Sequence, residues 1–284
     1  MIRLLLFVIC VMSQYIIGEE ASLARYLLFG SHGLLGSHLL ERLESLGHKV
    51  IRGNRKGTVP KNIDYIIDTA SYGNYSDQVD LDETFIVNVD RVRNILEQAV
   101  EAKGIILTSS SSVSLPFQTP YSASKVLMEY VALYYLEKGL PVRIVRPYTI
   151  YGIGDSQKHF IPIVFDSCLN GTPISLNPSA THDYVWVEDL VTTYLNILSY
   201  IDDIKIPVIE AGTGKATTNA EVVLQIERVT NSKANIVDFN LPPKEYDNKE
   251  WKAKDISTAT TSLEKGLAKI YEYYKKQRSE KTYH

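Results

Sequence analysis

Cysteine is almost missing from this chain: two residues in 284, Cys10 and Cys168, far apart and without CxxC spacing. A disulfide framework and a thiolate zinc site are therefore excluded. The six histidines do not fall in HExxH spacing either, so no metal site is expected. Charge of one sign is also lacking. Lys and Arg number 30 against 33 Asp and Glu, a net charge of -3, and the pI is near 6.1. No basic field is present to attract a phosphate backbone, so nucleic acid is not an expected partner and small molecules are. No internal repeat or low-complexity segment occurs.

With 45% hydrophobic and 22% charged residues the chain reads as an ordinary globular protein. At roughly 150 residues per domain its length suggests about two domains or lobes, and one α/β unit with an appendage fits equally well. The first residues are ambiguous. Residues 4–12 form an apolar run behind Arg3, followed by Ser13-Gln14-Tyr15-Ile16-Ile17-Gly18. This is the order of a secretory signal, too short for a membrane span. The competing reading is an N-terminal extension (1–24) ahead of a domain that begins near Arg25.

From Arg25 short apolar runs alternate with longer helical stretches, the pattern of a parallel sheet covered by helices. Strands are predicted at 26–29, 49–51, 65–68, 105–108 and 142–146, and helices at about 34–46, 84–102 and 122–138. Gly47 and Gly139 stand where helix C-caps belong. Between the second and third strands, residues 53–63 contain Gly57 and Pro60, so the helix usual at that place is expected to be a loop. The fold class predicted is α/β, a Rossmann-type doubly wound parallel sheet with a smaller C-terminal substrate-binding lobe. Residues 25–150, with part of 180–215, would form the dinucleotide-binding domain. Residues 151–284, where prolines break the alternation, would form most of the second lobe and a C-terminal helix that packs Leu263, Leu267, Ile270 and Tyr274.

Directly after the first strand comes Gly30-Ser31-His32-Gly33-Leu34-Leu35-Gly36, a GxxGxxG turn feeding a helix. Its glycines allow a tight turn and close approach of backbone amides to a pyrophosphate at a helix N-terminus. At the end of the second strand an NAD enzyme usually has an acid for the adenosine ribose; this chain has Asn54-Arg55-Lys56. An amide followed by two cations accepts a 2′-phosphate, so NADP(H) is favoured over NAD(H). The competing reading is a solvated basic loop.

Tyr121 and Lys125 form a YxxxK pair, one turn apart on a helix face, and Thr108-Ser109-Ser110-Ser111-Ser112-Val113 precedes them at the end of the fourth strand. A cation beside the phenol favours phenolate, and a serine hydroxyl can hold a substrate oxygen while the tyrosine moves its proton. That is carbonyl–alcohol chemistry.

With these motifs the chain resembles an extended short-chain dehydrogenase/reductase of the NAD-dependent epimerase/dehydratase family, which acts mainly on nucleotide sugars. The resemblance covers about 25–267 and includes Asp64-Tyr65-Ile66-Ile67-Asp68-Thr69-Ala70, Asn88-Val89, Arg146-Pro147-Tyr148-Thr149-Ile150-Tyr151-Gly152 and His182-Asp183-Tyr184-Val185-Trp186-Val187-Glu188-Asp189-Leu190. It implies Tyr121 as acid/base, Lys125 as its partner and nicotinamide-ribose ligand, and Ser110 as the hydroxyl that orients the reacting oxygen. Pro147 and Tyr148 would lie against the nicotinamide, with Asp68, Thr69, Ala70 and Asn88 along the cofactor groove. A homodimer is also implied.

The departures narrow the reaction. Ser111 and Ser112 stand where the family's sugar 4,6-dehydratases have an Asp-Glu pair, so dehydration is not expected. His159 lies in a segment like the His segment of the family's GDP-fucose-forming epimerase–reductases, but Ser112 replaces their cysteine. His182 replaces an arginine that binds substrate phosphates in many relatives, and the second such arginine has no clear counterpart in 242–254. Ser111, His159 and His182 remain candidates for substrate contact. The leading expectation is an NADP(H)-preferring reductase of a keto group on a nucleotide-activated sugar. A nucleotide-sugar 4-epimerase, an NADPH-dependent reductase of a lipid, steroid or phenolic carbonyl, and a non-enzymatic cofactor-binding protein are the alternatives. The cytoplasm is the favoured compartment. If residues 1–18 direct secretion instead, the sequons at Asn74 and Asn170 become relevant.

Overall fold

The computed structural model describes residues 23–75, 77–115, 119–239, 256–257 and 260–282. The signal-like segment, residues 242–254 and the last position of the Asn74 sequon lie outside the described residues. No helix among the described residues is long and apolar enough to cross a membrane.

Seven strands form one sheet: β1 (Arg25–Phe29), β2 (Lys49–Arg52), β3 (Tyr65–Asp68), β4 (Gly104–Thr108), β5 (Val142–Pro147), β6 (Val208–Gly212) and β7 (Ile256–Ser257). Their spatial order is β2-β1-β3-β4-β5-β6-β7, and every neighbouring pair is parallel. The order reverses at β1, which opens a crevice at the carboxyl ends of β1 and β3. Eight α-helices accompany the described strands: α1 (Leu34–Ser45), α2 (Leu81–Phe85), α3 (Arg91–Gln98), α4 (Pro120–Glu137), α5 (Phe160–Asn170), α6 (Val187–Ser199), α7 (Asn219–Thr230) and α8 (Leu263–Thr282).

Alternation along the strands divides the core. Leu28, Ile67 and Val145 face α1 and α6, packing with Leu39, Leu43, Leu190 and Tyr194. Leu27, Ile66 and Ile144 face the opposite layer, with Ile95 and Leu96 of α3 and Met128 and Ala132 of α4. A third cluster consists of Tyr151, Phe165, Trp186, Val222, Ile226, Leu267 and Ile270, with Leu263 and Tyr274 packed against it. The C-terminal helix thus buries the face its sequence spacing predicts.

Residues 53–63 contain no helix, as expected. Gly57 at φ +72° lets this loop press against α3, where an added Cβ would stand 2.8 Å from the Arg91 carbonyl. Gly47 and Gly139 take left-handed conformations (φ 82° and 94°) after α1 and α4. The single helix predicted at 84–102 is instead three pieces. Asp80 starts α2 by accepting the Glu83 amide, a π-turn spans Ile86–Asp90, and α3 ends at Gln98. The fourth helix begins earlier than predicted because Thr119 and Ser122 close a capping box around Pro120.

Candidate active site

The glycine turn is a cradle that side chains would fill. Gly30 takes φ +79°, and a Cβ there would lie 2.6 Å from both the Ala70 nitrogen and the Thr69 Oγ1. A Cβ on Gly36 would stand 2.0 Å from the Gly30 carbonyl, so only glycine lets α1 sit this close to the turn. Gly33 is the N-cap of α1 and no side chain caps it, which leaves first-turn amides of Leu34, Leu35 and Gly36 for an anion. Ser31 is buried beside an exposed His32, with Oγ and Nδ1 3.5 Å apart. These residues fit a dinucleotide pyrophosphate.

Thr69 and Ala70 wall the turn; the Thr69 hydroxyl donates to the Phe29 carbonyl at 2.9 Å. Asp68 is turned inward. Its carboxylate is gripped by the Arg91 guanidinium, with Arg91 Nη2 2.9 Å from Oδ2, and Oδ1 accepts the Ala70 amide. Asp68 therefore builds the groove wall and does not offer its carboxylate to the groove. Asn88, wholly buried in the π-turn, donates to the Tyr72 carbonyl and to Ser124 Oγ and accepts the Tyr72 amide. Ser124 Oγ in turn donates to the Tyr121 carbonyl at 2.7 Å. Asn88 thus locks the loop after β3 to the start of α4.

At the end of β2, the Asn54 side-chain oxygen accepts the amides of Lys56 and Thr58 and shapes the turn. Lys56 is exposed. Arg55 points to α2, where it pairs with Glu83.

Tyr121 and Lys125 project from the first turns of α4. The Lys125 Nζ lies 5.8 Å from the Tyr121 ring centroid and donates to the Thr108 carbonyl at 2.9 Å. Burial brings the lysine down to about 8; Asp68 opposes this, Arg91 adds to it, and Glu129 opposes it more weakly. Burial also raises the Tyr121 phenol, while hydrogen bonding from Ser110 and Ser71 pulls it back. A phenol so placed is protonated near neutral pH.

The structure sorts the serine cluster. Ser110 faces Tyr121, its Oγ accepting the Ser112 amide at 3.1 Å as the cap of a short 3-10 turn, Ser111–Ser114. Ser109 points away and donates to Glu129 at 2.5 Å. Ser111 is half-buried in the turn, and the Ser112 hydroxyl is buried with no hydrogen-bond partner among the described residues.

Behind them runs a charged wall. Arg146 makes a bidentate pair with Glu129 (2.8 and 2.6 Å) and lies 3.5 Å from Glu210. Tyr148 donates to Glu210 at 3.2 Å, which orients its ring beside the buried Pro147 at the end of β5. Ser71, Glu129 and Glu210 are not among the residues to which the sequence motifs point. Glu129, one turn beyond Lys125, carried a readable helical spacing; Ser71 and Glu210 reach the site only through the fold.

The two histidines sit on other segments. His159 Nδ1 is 2.6 Å from Asp155 Oδ1, and its ring stacks on Tyr75 at 5.1 Å. Lys158 pairs with Asp77 beside it, so the loop before α5 meets the loop after β3. His182 Nδ1 is 3.4 Å from Thr149 Oγ1, and its ring stands 5.7 Å from Tyr184. Two aspartates nearby in sequence tie distant segments together. Asp183 accepts the Thr213 and Gly214 amides, and Asp189 those of Thr260 and Thr261. A cavity of about 720 Å³ is lined by Tyr184, Thr217 and Leu224 and by charges of both signs, Lys215, Arg228, Glu221 and Glu264.

A glycine cradle at a reversal of strand order, beside a paired tyrosine and lysine, defines a dinucleotide-dependent enzyme of the short-chain dehydrogenase/reductase type. Residues 26–212 match the NAD dependent epimerase/dehydratase family, and the chain belongs to it. Among its relatives, the UDP-N-acetyl-alpha-D-glucosaminuronate decarboxylase of Bacillus cytotoxicus is 26% identical over 266 residues, covering 75% of this chain and 82% of that protein. The CDP-abequose synthase of Salmonella muenchen is 25% identical over 244 residues, covering 75% and 83%. The solved structure of MoeE5 in complex with UDP-glucose and NAD shares the fold at a TM-score of 0.73 and 23% identity, covering 89% of this chain and 99% of that one.

Proposed function

We propose that this enzyme reduces a keto group on a nucleotide-activated sugar, with NADP(H) favoured over NAD(H). The observation that carries the reading is Tyr121 and Ser110 facing one another beside the glycine cradle, with only hydroxyls at Ser111 and Ser112. Protonated by burial, Tyr121 is poised as a donor to a developing alkoxide. The nicotinamide, when bound, supplies hydride to the carbonyl carbon. Ser110 holds the substrate oxygen, Tyr121 delivers its proton, and the Lys125 ammonium stabilises the phenolate left behind. The sugar nucleotide is supported by relatives that are named for UDP- and CDP-sugars. Arg55 and Lys56 support the 2′-phosphate preference.

The 4-epimerase is the second reading, favoured by the ion pair that already occupies Arg55. A homodimer is supported by Leu127, Tyr130 and Tyr134, exposed at helical spacing on one face of α4. The test is turnover of UDP-, dTDP-, GDP- and CDP-linked keto-sugars with NADPH. Tyr121→Phe is expected to abolish turnover and spare cofactor binding. Activity that survives in Tyr121→Phe overturns the assignment, and interconversion without net NADPH consumption selects the epimerase.

A further inference from the structure

The acid that usually meets the adenosine ribose at the end of β2 is missing, and Asn54 has committed its side-chain oxygen to the turn. The side chain of Arg55, three residues past the end of β2, instead meets a carboxylate from another element. Glu83, in the first turn of α2, forms an ion pair with Arg55. The two partners are unequally held. The Arg55 side chain is 74% exposed and the Glu83 side chain 20%, and the Glu83 backbone is pinned through its amide to Asp80 Oδ1 at 2.9 Å. The guanidinium is thus the more exposed partner and the carboxylate the more enclosed one, on a backbone held at the start of α2.

Arg55 stands just past the end of β2, the edge strand beside β1, whose own end feeds the glycine cradle. A dinucleotide with its pyrophosphate on that cradle extends its adenosine ribose toward the end of β2. We propose that Glu83 is a cofactor-selecting residue: it accepts the ribose 2′-hydroxyl of NAD(H) in place of the missing β2 acid, and it competes with the 2′-phosphate of NADP(H) for Arg55. Arg55 alone would give a wide preference for the phosphorylated cofactor. Glu83 narrows it, because phosphate binding must first release the pair and then tolerate a nearby carboxylate. The phosphate arm rests on the NADP(H) reading given above; the hydroxyl arm does not.

The test is fluorescence titration of the full chain with NADPH and NADH at fixed ionic strength. Glu83→Gln keeps the side-chain shape and removes the charge. For so exposed a pair, NADPH binding is expected to tighten by about two- to fivefold and NADH binding to weaken. A ratio of dissociation constants unchanged from the parent protein overturns the proposal. Arg55→Gln separates the two readings. If it leaves NADPH binding intact, the NADP(H) reading fails by itself; if it weakens NADPH while Glu83→Gln leaves the ratio unmoved, only the role of Glu83 fails. Unaltered melting of both uncomplexed variants shows that the effects do not come from misfolding.

Discussion

Lys125 donates from Nζ to the carbonyl of Thr108 at 2.9 Å, tying α4 to the end of β4. The bond fixes the ammonium beside the Tyr121 ring in a place where burial works against its charge. In the folded protein the lysine titrates near 8, against 10.5 when free.

This gives a pH dependence with a definite sign. Between about pH 8 and 10 the unfolded chain holds more protons at Lys125 than the folded one, so stability rises with pH. Above about 10 the raised Tyr121 phenol opposes the gain, because the unfolded tyrosine loses its proton first. Below about 8 the full burial penalty is present. Denaturant unfolding from pH 7 to 10 is expected to show the rise in the parent protein, and Lys125→Met to flatten it. The rate of reduction is expected to fall as pH rises through about 8, where the ammonium that stabilises phenolate is lost.

Arg91 and Asp68 are almost completely buried together, and Arg91 also donates to the carbonyls of Val87 and Ala70. Truncation of one partner strands the other charge in the core. Arg91→Ala is expected to cost about 3–5 kcal/mol, read as a lower denaturation midpoint. The paired replacement Arg91→Met with Asp68→Leu is expected to recover part of that loss. Full stability in Arg91→Ala would show that Asp68 meets solvent or another cation.

Much of this arrangement is legible in the sequence, where physics acts locally. The strand–turn–helix at Gly30 is written in three glycines, two of which have no room for a Cβ. The Tyr121 and Lys125 spacing needs only a helix. What is not legible depends on which elements become neighbours. Asp68 belongs to a recognisable motif, yet its partner Arg91 lies 23 positions away across a π-turn that no periodicity announces. Glu83 meets Arg55 from 28 positions away, a meeting that only the packing of α2 against the loop after β2 sets. By spacing alone the four consecutive serines are equivalent and only the family resemblance points to Ser110; in the structure Glu129 takes Ser109 and the 3-10 turn places Ser110 at the phenol.

That sorting of hydroxyls is testable. Ser110→Ala removes the group facing Tyr121 and is expected to lower kcat/KM by about a hundredfold. Ser109→Ala leaves the reacting centre complete, and its loss is expected in stability, through the carboxylate of Glu129, and not in kcat. Ser71→Ala removes a hydrogen bond that favours phenolate, so the limb of the pH–rate profile governed by Tyr121 is expected to move to higher pH. Steady-state kinetics of the three variants across pH 6–10 distinguishes these assignments. Equal losses in Ser109→Ala and Ser110→Ala would refute the division of roles.

Gly36 gives the sharpest test of the cradle. An alanine Cβ there would lie 2.0 Å from the Gly30 carbonyl and 2.9 Å from Thr69 Oγ1, so α1 must move away from the turn or the turn must open. Either movement displaces first-turn amides from the pyrophosphate position. In the parent protein, cofactor at about 100 times its dissociation constant adds roughly 2.7 kcal/mol to stability, a rise of several degrees in melting temperature. Gly36→Ala is expected to erase that rise for NADH and NADPH alike, because the pyrophosphate is common to both. Gly33→Ala meets only the Gly30 carbonyl at 3.5 Å, an ordinary contact, and is expected to retain most of it. A thermal shift preserved in Gly36→Ala would place the dinucleotide elsewhere on the sheet and would overturn the reading of the crevice between β1 and β3.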